Sequence, residues 1–220
     1  PDTAVVSAQN GIPWWYFMGH GGPFDGESIE SVDPGGVIAG AIDQSRIIGC
    51  VIYPSTAIVE PGVIEHIEGN RFSLGELDGS SSDRCKRLAG AFIAAGPRAP
   101  IRGHIRHDMW IKLLGNVVFN PMSALTGATL VEMVTHPETS ATVRAVMTEA
   151  DEVAQGLGVR LPFTVEQRME GARKVGAHKT SMLQDLEAGR PMELESVVGV
   201  VIELGEKLGL PMPLTRTLYS

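Results

Sequence analysis

The chain has 220 residues, 43% of them apolar, enough to bury a core in one large or two small domains. Eighteen basic against 26 acidic side chains leave a net charge of −8 with no basic run, which argues against nucleic acid or an anionic membrane as partner. Cys50 and Cys85 lack the spacing of a disulfide framework or a zinc site, no apolar run approaches the roughly 18 residues that span a bilayer, and the opening residues lack the basic start of a signal peptide, so a cytoplasmic protein with reduced, buried cysteines is expected.

Residues 3–104 have the grain of a sheet domain. Ala4–Ser7, Val37–Ala41, Ile47–Ile52, Val63–Ile67 and Phe72–Leu74 are short β-rich runs separated by Gly, Pro and Asp, and are expected as strands. Trp14–Phe17 (WWYF) is read either as core filling or as the wall of a pocket for a bulky apolar substrate. Residues 18–36, with six glycines, two prolines and four acids, are expected as a mobile surface loop, a candidate lid. Gly19-His20-Gly21 lacks the third glycine of a dinucleotide fingerprint and is not read as one. Asp83–Ala95 is expected to be helical, because Leu88, Ala91, Phe92 and Ala95 recur at helical spacing behind a serine cluster suited to capping.

A composition shift near Gly103 marks a domain boundary, giving domains 1–103 and 104–220. Beyond it the pattern is almost wholly helical: Asp108–Asn120, Thr139–Leu157, Thr164–Lys174, Ser181–Glu187 and Glu193–Leu208, with Gly158, Gly189 and Gly209 as stops. The last of these helices, with Val197, Val198, Val200, Val201, Ile202 and Leu204, is apolar on more than one face and is a candidate homodimer surface. His66, His104, His107 and His136 are scattered and are read as surface or supporting groups, so no metal is expected.

Lys112, Asn116 and Asn120 fall four residues apart in the otherwise apolar run that begins at Met109. Each step of four drifts only about 40° around a helix, so the three form one polar stripe. On the residues alone, a partly exposed lysine with two backbone-capping asparagines is as good a reading as a ligand site. A second segment, Lys179–Glu195 (KTSMLQDLEAGRPMELE), carries Ser181, Asp185 and two glutamates around a Gly-Arg-Pro turn. Taken alone, Ser181 is an ordinary helix N-cap and Glu193 a first-turn acid.

Together the two segments resemble ketopantoate reductase (2-dehydropantoate 2-reductase), whose helical domain carries Lys-x-x-x-Asn-x-x-x-Asn and Ser-Met-Leu-Gln-Asp followed by Gly-Arg and a glutamate. Here these are Lys112, Asn116, Asn120, Ser181 to Asp185, Gly189, Arg190 and Glu193. Gln9-Asn10-Gly11 resembles the family's turn after a late strand, and Pro61-Gly62-Val63 with His66 a later hairpin; the likeness covers most of residues 3–217 except the loop at 18–36. The resemblance implies a partial α/β Rossmann domain followed by an all-α C-terminal domain of the 6-phosphogluconate dehydrogenase type, with the active site in the cleft between them.

It further implies NADPH-dependent reduction of a 2-oxo acid to a 2-hydroxy acid, with 2-dehydropantoate to pantoate, a step of pantothenate biosynthesis, as the leading reaction. Lys112 would be the general acid, Asn116, Asn120 and Ser181 would bind substrate, with the acid end of the 2-oxo acid near Ser181 at a helix N-terminus, and Asn10, Ala57 and Glu193 would contact the cofactor. His178 and Leu130 stand where relatives carry polar residues, a departure that counts against ketopantoate itself. The family's opening βαβ unit with its glycine fingerprint is absent, so the chain reads as a reductase fragment expected to bind NADPH weakly and to be inactive alone. The alternative is a catalytically silent helical dimerisation or ligand-binding domain.

Overall fold

The computed structural model describes residues 3–220 and divides into two compact units, one ending at Asp108 and the other beginning at Met109. In the first, β1 (Val5–Ala8), β2 (Ile47–Ile52) and β5 (Phe72–Gly75) form a three-stranded sheet in the order β1-β2-β5, with β1 parallel and β5 antiparallel to β2. All but the last residue of β2 is buried, which is why its sequence, IIGCVI, is continuously apolar. Helix α2 (Asp83–Ala94) lays Cys85 and Ala89 against Ile48, Cys50 and Leu74, so both cysteines are buried in one cluster. Its N-terminus is capped by Ser82, whose hydroxyl accepts from Cys85 N at 3.1 Å.

The first unit departs from expectation in three places and decides between two readings in a fourth. Val37–Ala41 is a helix (α1), not a strand, because both oxygens of the Asp33 carboxylate take backbone amides, Ile38 N at 2.8 Å and Ala39 N at 2.9 Å. A carboxylate five and six residues before the amides it takes overrides a β-rich composition. Ser55–Glu60 is a strand (β3) that sequence reading missed; it pairs antiparallel with β4 (Val63–Glu68) in a separate two-stranded ribbon. The ribbon is exposed, with Ile58 at 79% and Ile64 at 67% accessibility. Residues 18–36 are not simply a surface loop: they form successive turns in which Ile29 is fully buried and Asp33 2% exposed. Trp14, Trp15, Tyr16 and Phe17 are core residues, at most 5% exposed, which leaves the pocket-wall reading without exposed aromatic surface.

Arg106 explains how those aromatics and the following loop are held. Its guanidinium donates to three carbonyls, Tyr16 O at 2.7 Å, Met18 O at 2.6 Å and Leu77 O at 2.7 Å. Burial pushes its pKa down, but an arginine so shifted remains charged.

The second unit is helical. Helix α3 (Ile105–Thr126) begins in the first unit and continues past the expected end at Asn120, carrying Pro121 inside it. Proline costs that helix one backbone bond, while Thr126 Oγ1 donating to Met122 O at 2.6 Å and Ser123 Oγ to Ala128 O at 2.9 Å finish the last turn. Then follow α4 (Leu130–Thr135), α5 (Pro137–Gly156), α6 (Val165–Val175), α7 (Ser181–Glu187), a π-helical turn (Glu195–Gly199), α8 (Val200–Lys207) and α9 (Pro213–Tyr219). Helix α5 is central: Val143, Val146, Met147, Ala150, Val153 and Ala154 are buried, and α4, α6, α8 and α9 pack on it.

The expected dimer face on the last long helix is corrected. Val197, Val198, Val200, Val201 and Leu204 are all 0% exposed within the single chain, so their apolarity is used in the unit's own core. Helices α4 and α9 were not anticipated, and α9 rather than α8 is the last. Among the described residues, no helix is long and apolar enough to cross a membrane.

Candidate active site

Helix α3 sorts its side chains by face. Met109, Trp110, Leu113, Leu114, Val117, Val118 and Phe119 are at most 5% exposed. Lys112 and Asn116 are half-buried, and Asn120, one further turn along, is 5% exposed. On this helix the three are one cation followed by two neutral amides at successive turns, the last of them withdrawn from water. Such a row can present a proton donor and two hydrogen-bonding groups to one small molecule.

Gly115, between Lys112 and Asn116, is the contact point with α6. A Cβ there would lie 2.8 Å from Cζ and 2.9 Å from Nε of Arg168, so the guanidinium rests directly on the α3 backbone. Sequence reading missed this pair, since nothing local links positions 115 and 168.

The Ser181 segment is tied to the far end of α3. Ser123, three residues past Asn120, bonds Ala128 O; Leu130 N then donates to His178 O at 3.0 Å and Val131 N to Gly176 O at 3.2 Å. These bonds bring the approach to α7 beside the start of α4, just beyond the turn that ends α3. The cap of α7 is Thr180, which accepts from Leu183 N at 3.2 Å, and not Ser181, which is exposed at the first helical position. Helix α7 has only 7 residues, so a helix-dipole site for a carboxylate is not available there and any role of Ser181 rests on its hydroxyl.

Much of the Ser-Met-Leu-Gln-Asp…Gly-Arg pattern is structural. Arg190 Nε donates to Asp185 Oδ1 at 2.8 Å and Arg190 N to Asp185 O at 2.8 Å, closing the turn after α7. Met182 and Leu183 are buried, and Lys179 pairs with Glu187 at 2.6 Å. Glu193 does not begin a helix; it is exposed and lies just ahead of Leu194 and the π-helical turn. The neighbouring Glu195 accepts from Tyr219 Oη at 2.6 Å, a bond that raises the pKa of the phenol.

Two expected cofactor residues lie in the first unit. Asn10 is half-buried in the bend after β1, at the carboxyl end of a parallel strand, the edge at which open α/β sheets bind ligands. Ala57 is half-buried in the exposed β3–β4 ribbon that follows β2, opposite Glu65. The glycines at 19–22 do not cradle phosphate: His20 N donates to Asp25 Oδ1 at 3.0 Å, which puts a carboxylate on an amide an anion would need. Among the described residues, no group of three or more His, Cys, Asp or Glu is arranged to hold a metal ion.

Comparison with known proteins adds an independent line. The family model described as ketopantoate reductase PanE/ApbA C terminal matches residues 104–220. A 2-dehydropantoate 2-reductase from Mesorhizobium japonicum is 51% identical over 211 residues, covering 96% of this chain and 65% of the relative. One from Archaeoglobus fulgidus is 32% identical over 175 residues, 80% of this chain and 59% of the relative. Among solved structures, a protein from Ralstonia solanacearum assigned as a ketopantoate reductase superposes with a TM-score of 0.94 at 41% identity, covering 100% of this chain and 67% of that one. The 2-dehydropantoate 2-reductase from Methylococcus capsulatus gives 0.81 at 31%, covering 100% and 64%. The chain thus spans about two thirds or less of the curated relatives it matches.

Proposed function

This chain belongs to the ketopantoate reductase family, and on that premise we propose that it serves the NADPH-dependent reduction of a 2-oxo acid to a 2-hydroxy acid in the cytoplasm, with 2-dehydropantoate as the first substrate to test. Residues 104–220 would be the substrate-binding and catalytic domain and residues 1–103 the later half of the cofactor-binding domain. The observation that carries this reading is the α3 stripe, in which a half-buried lysine precedes two amides among the buried apolar residues from Met109 to Phe119.

Reducing a 2-oxo acid requires hydride at one face of the carbonyl carbon and a proton at its oxygen, where negative charge develops. The nicotinamide supplies the hydride when bound. Lys112 donates the proton, and its attraction for the forming alkoxide strengthens as water leaves the site. Asn116 and Asn120 orient the substrate's oxygens by hydrogen bonds without adding charge, and the Ser181 hydroxyl takes the acid end. Asn10, at the carboxyl edge of the sheet, and Glu193 suit contacts at the nicotinamide end; the half-buried Ala57 suits a van der Waals contact only. No pyrophosphate cradle is found among the described residues, so the fit extends to the nicotinamide end alone.

The test is a panel of 2-oxo acids with NADPH and NADH as donors, using the complete protein and its Lys112→Ala variant. Turnover on a 2-oxo acid is expected, with kcat lowered about 10² to 10⁴ by the substitution, the usual worth of a positioned general acid. Unchanged turnover in the variant would remove Lys112 from the mechanism. A complete protein inert towards the whole panel would leave a ligand-binding domain as the better reading.

A further inference from the structure

Glu193 leaves the chain just before a turn whose hydrogen-bond register is unusual. Residues Glu195–Gly199 are π-helical and lead directly into the ordinary α-helix α8. A π turn holds one more residue than an α turn, so everything preceding it is rotated by about 100° relative to the helix that follows. The direction in which Glu193 projects is therefore set by whether this turn keeps its wide register. The wide register is rare and occurs mostly as a single turn within an α-helix, so it persists only where its surroundings favour it.

The support on the exposed side comes from the C-terminal helix. The Glu195 carboxylate folds back over Gly199, where an added Cβ would collide with it and would also lie 3.2 Å from the Tyr219 ring. Tyr219 Oη donates to Glu195 Oε1 at 2.6 Å. Tyr219 ends α9, and α9 is itself anchored at its start: the Glu149 carboxylate of α5 accepts from Leu214 N at 3.0 Å, Thr215 N at 2.9 Å and Thr215 Oγ1 at 2.6 Å. Thr215 is fully buried, so that anchor is firm. A continuous set of contacts runs from α5 through α9 to Glu195 and the turn that aims Glu193. Val197 and Val198 hold the inner side by packing, which leaves Glu195, exposed and polar, as the point at which the outer side is fixed.

We propose that Tyr219 is a positioning residue for Glu193, acting through Glu195 to hold the π-helical turn in register. The proposal rests on the reading of Glu193 as a cofactor-contacting group. The test compares Tyr219→Phe, Glu195→Ala, Glu195→Gln and Glu193→Gln in the complete protein. The readouts are NADPH Kd by fluorescence titration, KM and kcat for the 2-oxo acid, and amide exchange of residues 194–200.

Tyr219→Phe and Glu195→Ala should each weaken NADPH about tenfold, the loss of one charge-assisted hydrogen bond. They should also speed exchange across the turn, while KM for the 2-oxo acid stays within about twofold. Glu195→Gln keeps an oxygen that accepts from the phenol and should stay near the wild type. If Glu193→Gln weakens NADPH but Tyr219→Phe binds it as the wild type does, the inference fails while the function stands. If Glu193→Gln itself leaves NADPH affinity unchanged, the role of Glu193 falls and the inference falls with it.

Discussion

Replacing Arg106 with Met keeps the length and apolar stem of the side chain but removes all three of its hydrogen bonds. Bonds from a charged donor are each worth about 1.5 to 3 kcal/mol, so a simple sum would run from about 4.5 to 9 kcal/mol. Two corrections bring it down. Arg106 is itself desolvated, which the depressed pKa reports, and removing it returns that cost. Met18 and Leu77 are only half-buried, so water can reach their carbonyls, whereas Tyr16 is fully buried and its carbonyl loses a charged donor that water does not readily replace. The buried loss at about 1 to 3 kcal/mol plus partial losses at the other two gives about 3 to 4 kcal/mol. Against a typical total stability of about 5 to 15 kcal/mol this is severe. Urea unfolding followed by the emission of Trp14 and Trp15, which lie in the segment Arg106 holds, should show the midpoint falling by about 1 to 3 M with an unchanged slope. Arg106→Lys, with a compact ammonium that cannot span three carbonyls, should recover only part of the loss. A change below about 1 kcal/mol in the Met variant would mean that the aromatic segment is held by packing alone.

Asn120→Ala in the complete protein should weaken 2-oxo acid binding by about 1 to 3 kcal/mol with little change in NADPH affinity, because a buried substrate oxygen loses its partner; an unaltered substrate Kd would make Asn120 a structural amide. Glu76 is held below its ordinary pKa of 4.5, chiefly by the Arg84 guanidinium that meets it at 2.8 and 2.5 Å, then by the Ser82 hydroxyl. A carboxyl whose folded pKa is depressed stabilises the protein above its unfolded value and loses that contribution as pH falls through the folded one. The stability gap between the wild type and Glu76→Gln should therefore be constant near neutrality and narrow progressively as pH falls below about 4.5; a gap that keeps its neutral value throughout the acid range in which the protein stays folded would refute the assignment.

What was legible in the sequence follows from how local its cause is. Helix α2 could be read because both its cap, Ser82, and its apolar spacing lie within a few residues. Strand β2 announced itself by an unbroken apolar run, and the α3 stripe by three polar residues in an apolar stretch. Helix α1 could not be read, since its two capping bonds come from Asp33, across a pair of glycines. Strand β3 failed for a different reason: the residues it half-buries, Ser55 and Ala57, are small, while its aliphatic Ile58 and Val59 are exposed, so no apolar alternation marks it. In the site region, Thr180 displaced Ser181 as the cap, a one-residue shift that propensity does not resolve. The π-helical turn, the Tyr219 contact and the seating of Arg168 on Gly115 depend on tertiary contacts and leave no mark in composition. Helix α9 did leave one, Pro213 at its first turn, which went unread because the helix has only 7 residues.

The β3–β4 ribbon has a bearing on how the protein behaves at high concentration. Two strands make two outer edges, and in a sheet of two each edge presents backbone donors and acceptors to solvent among the described residues. Ile58, Val59, Val63, Ile64 and Ile67 add exposed aliphatic surface beside those edges, the composition that favours edge-to-edge stacking between molecules. Interspersed with them stand Glu60, Glu65 and Glu68. These three carboxylates act as gatekeepers, so that like charges meet whenever two ribbons approach. The charge that opposes stacking at this ribbon is thus supplied by a few surface glutamates remote in sequence from the α3 stripe, and neutralising them would favour edge-to-edge association through it.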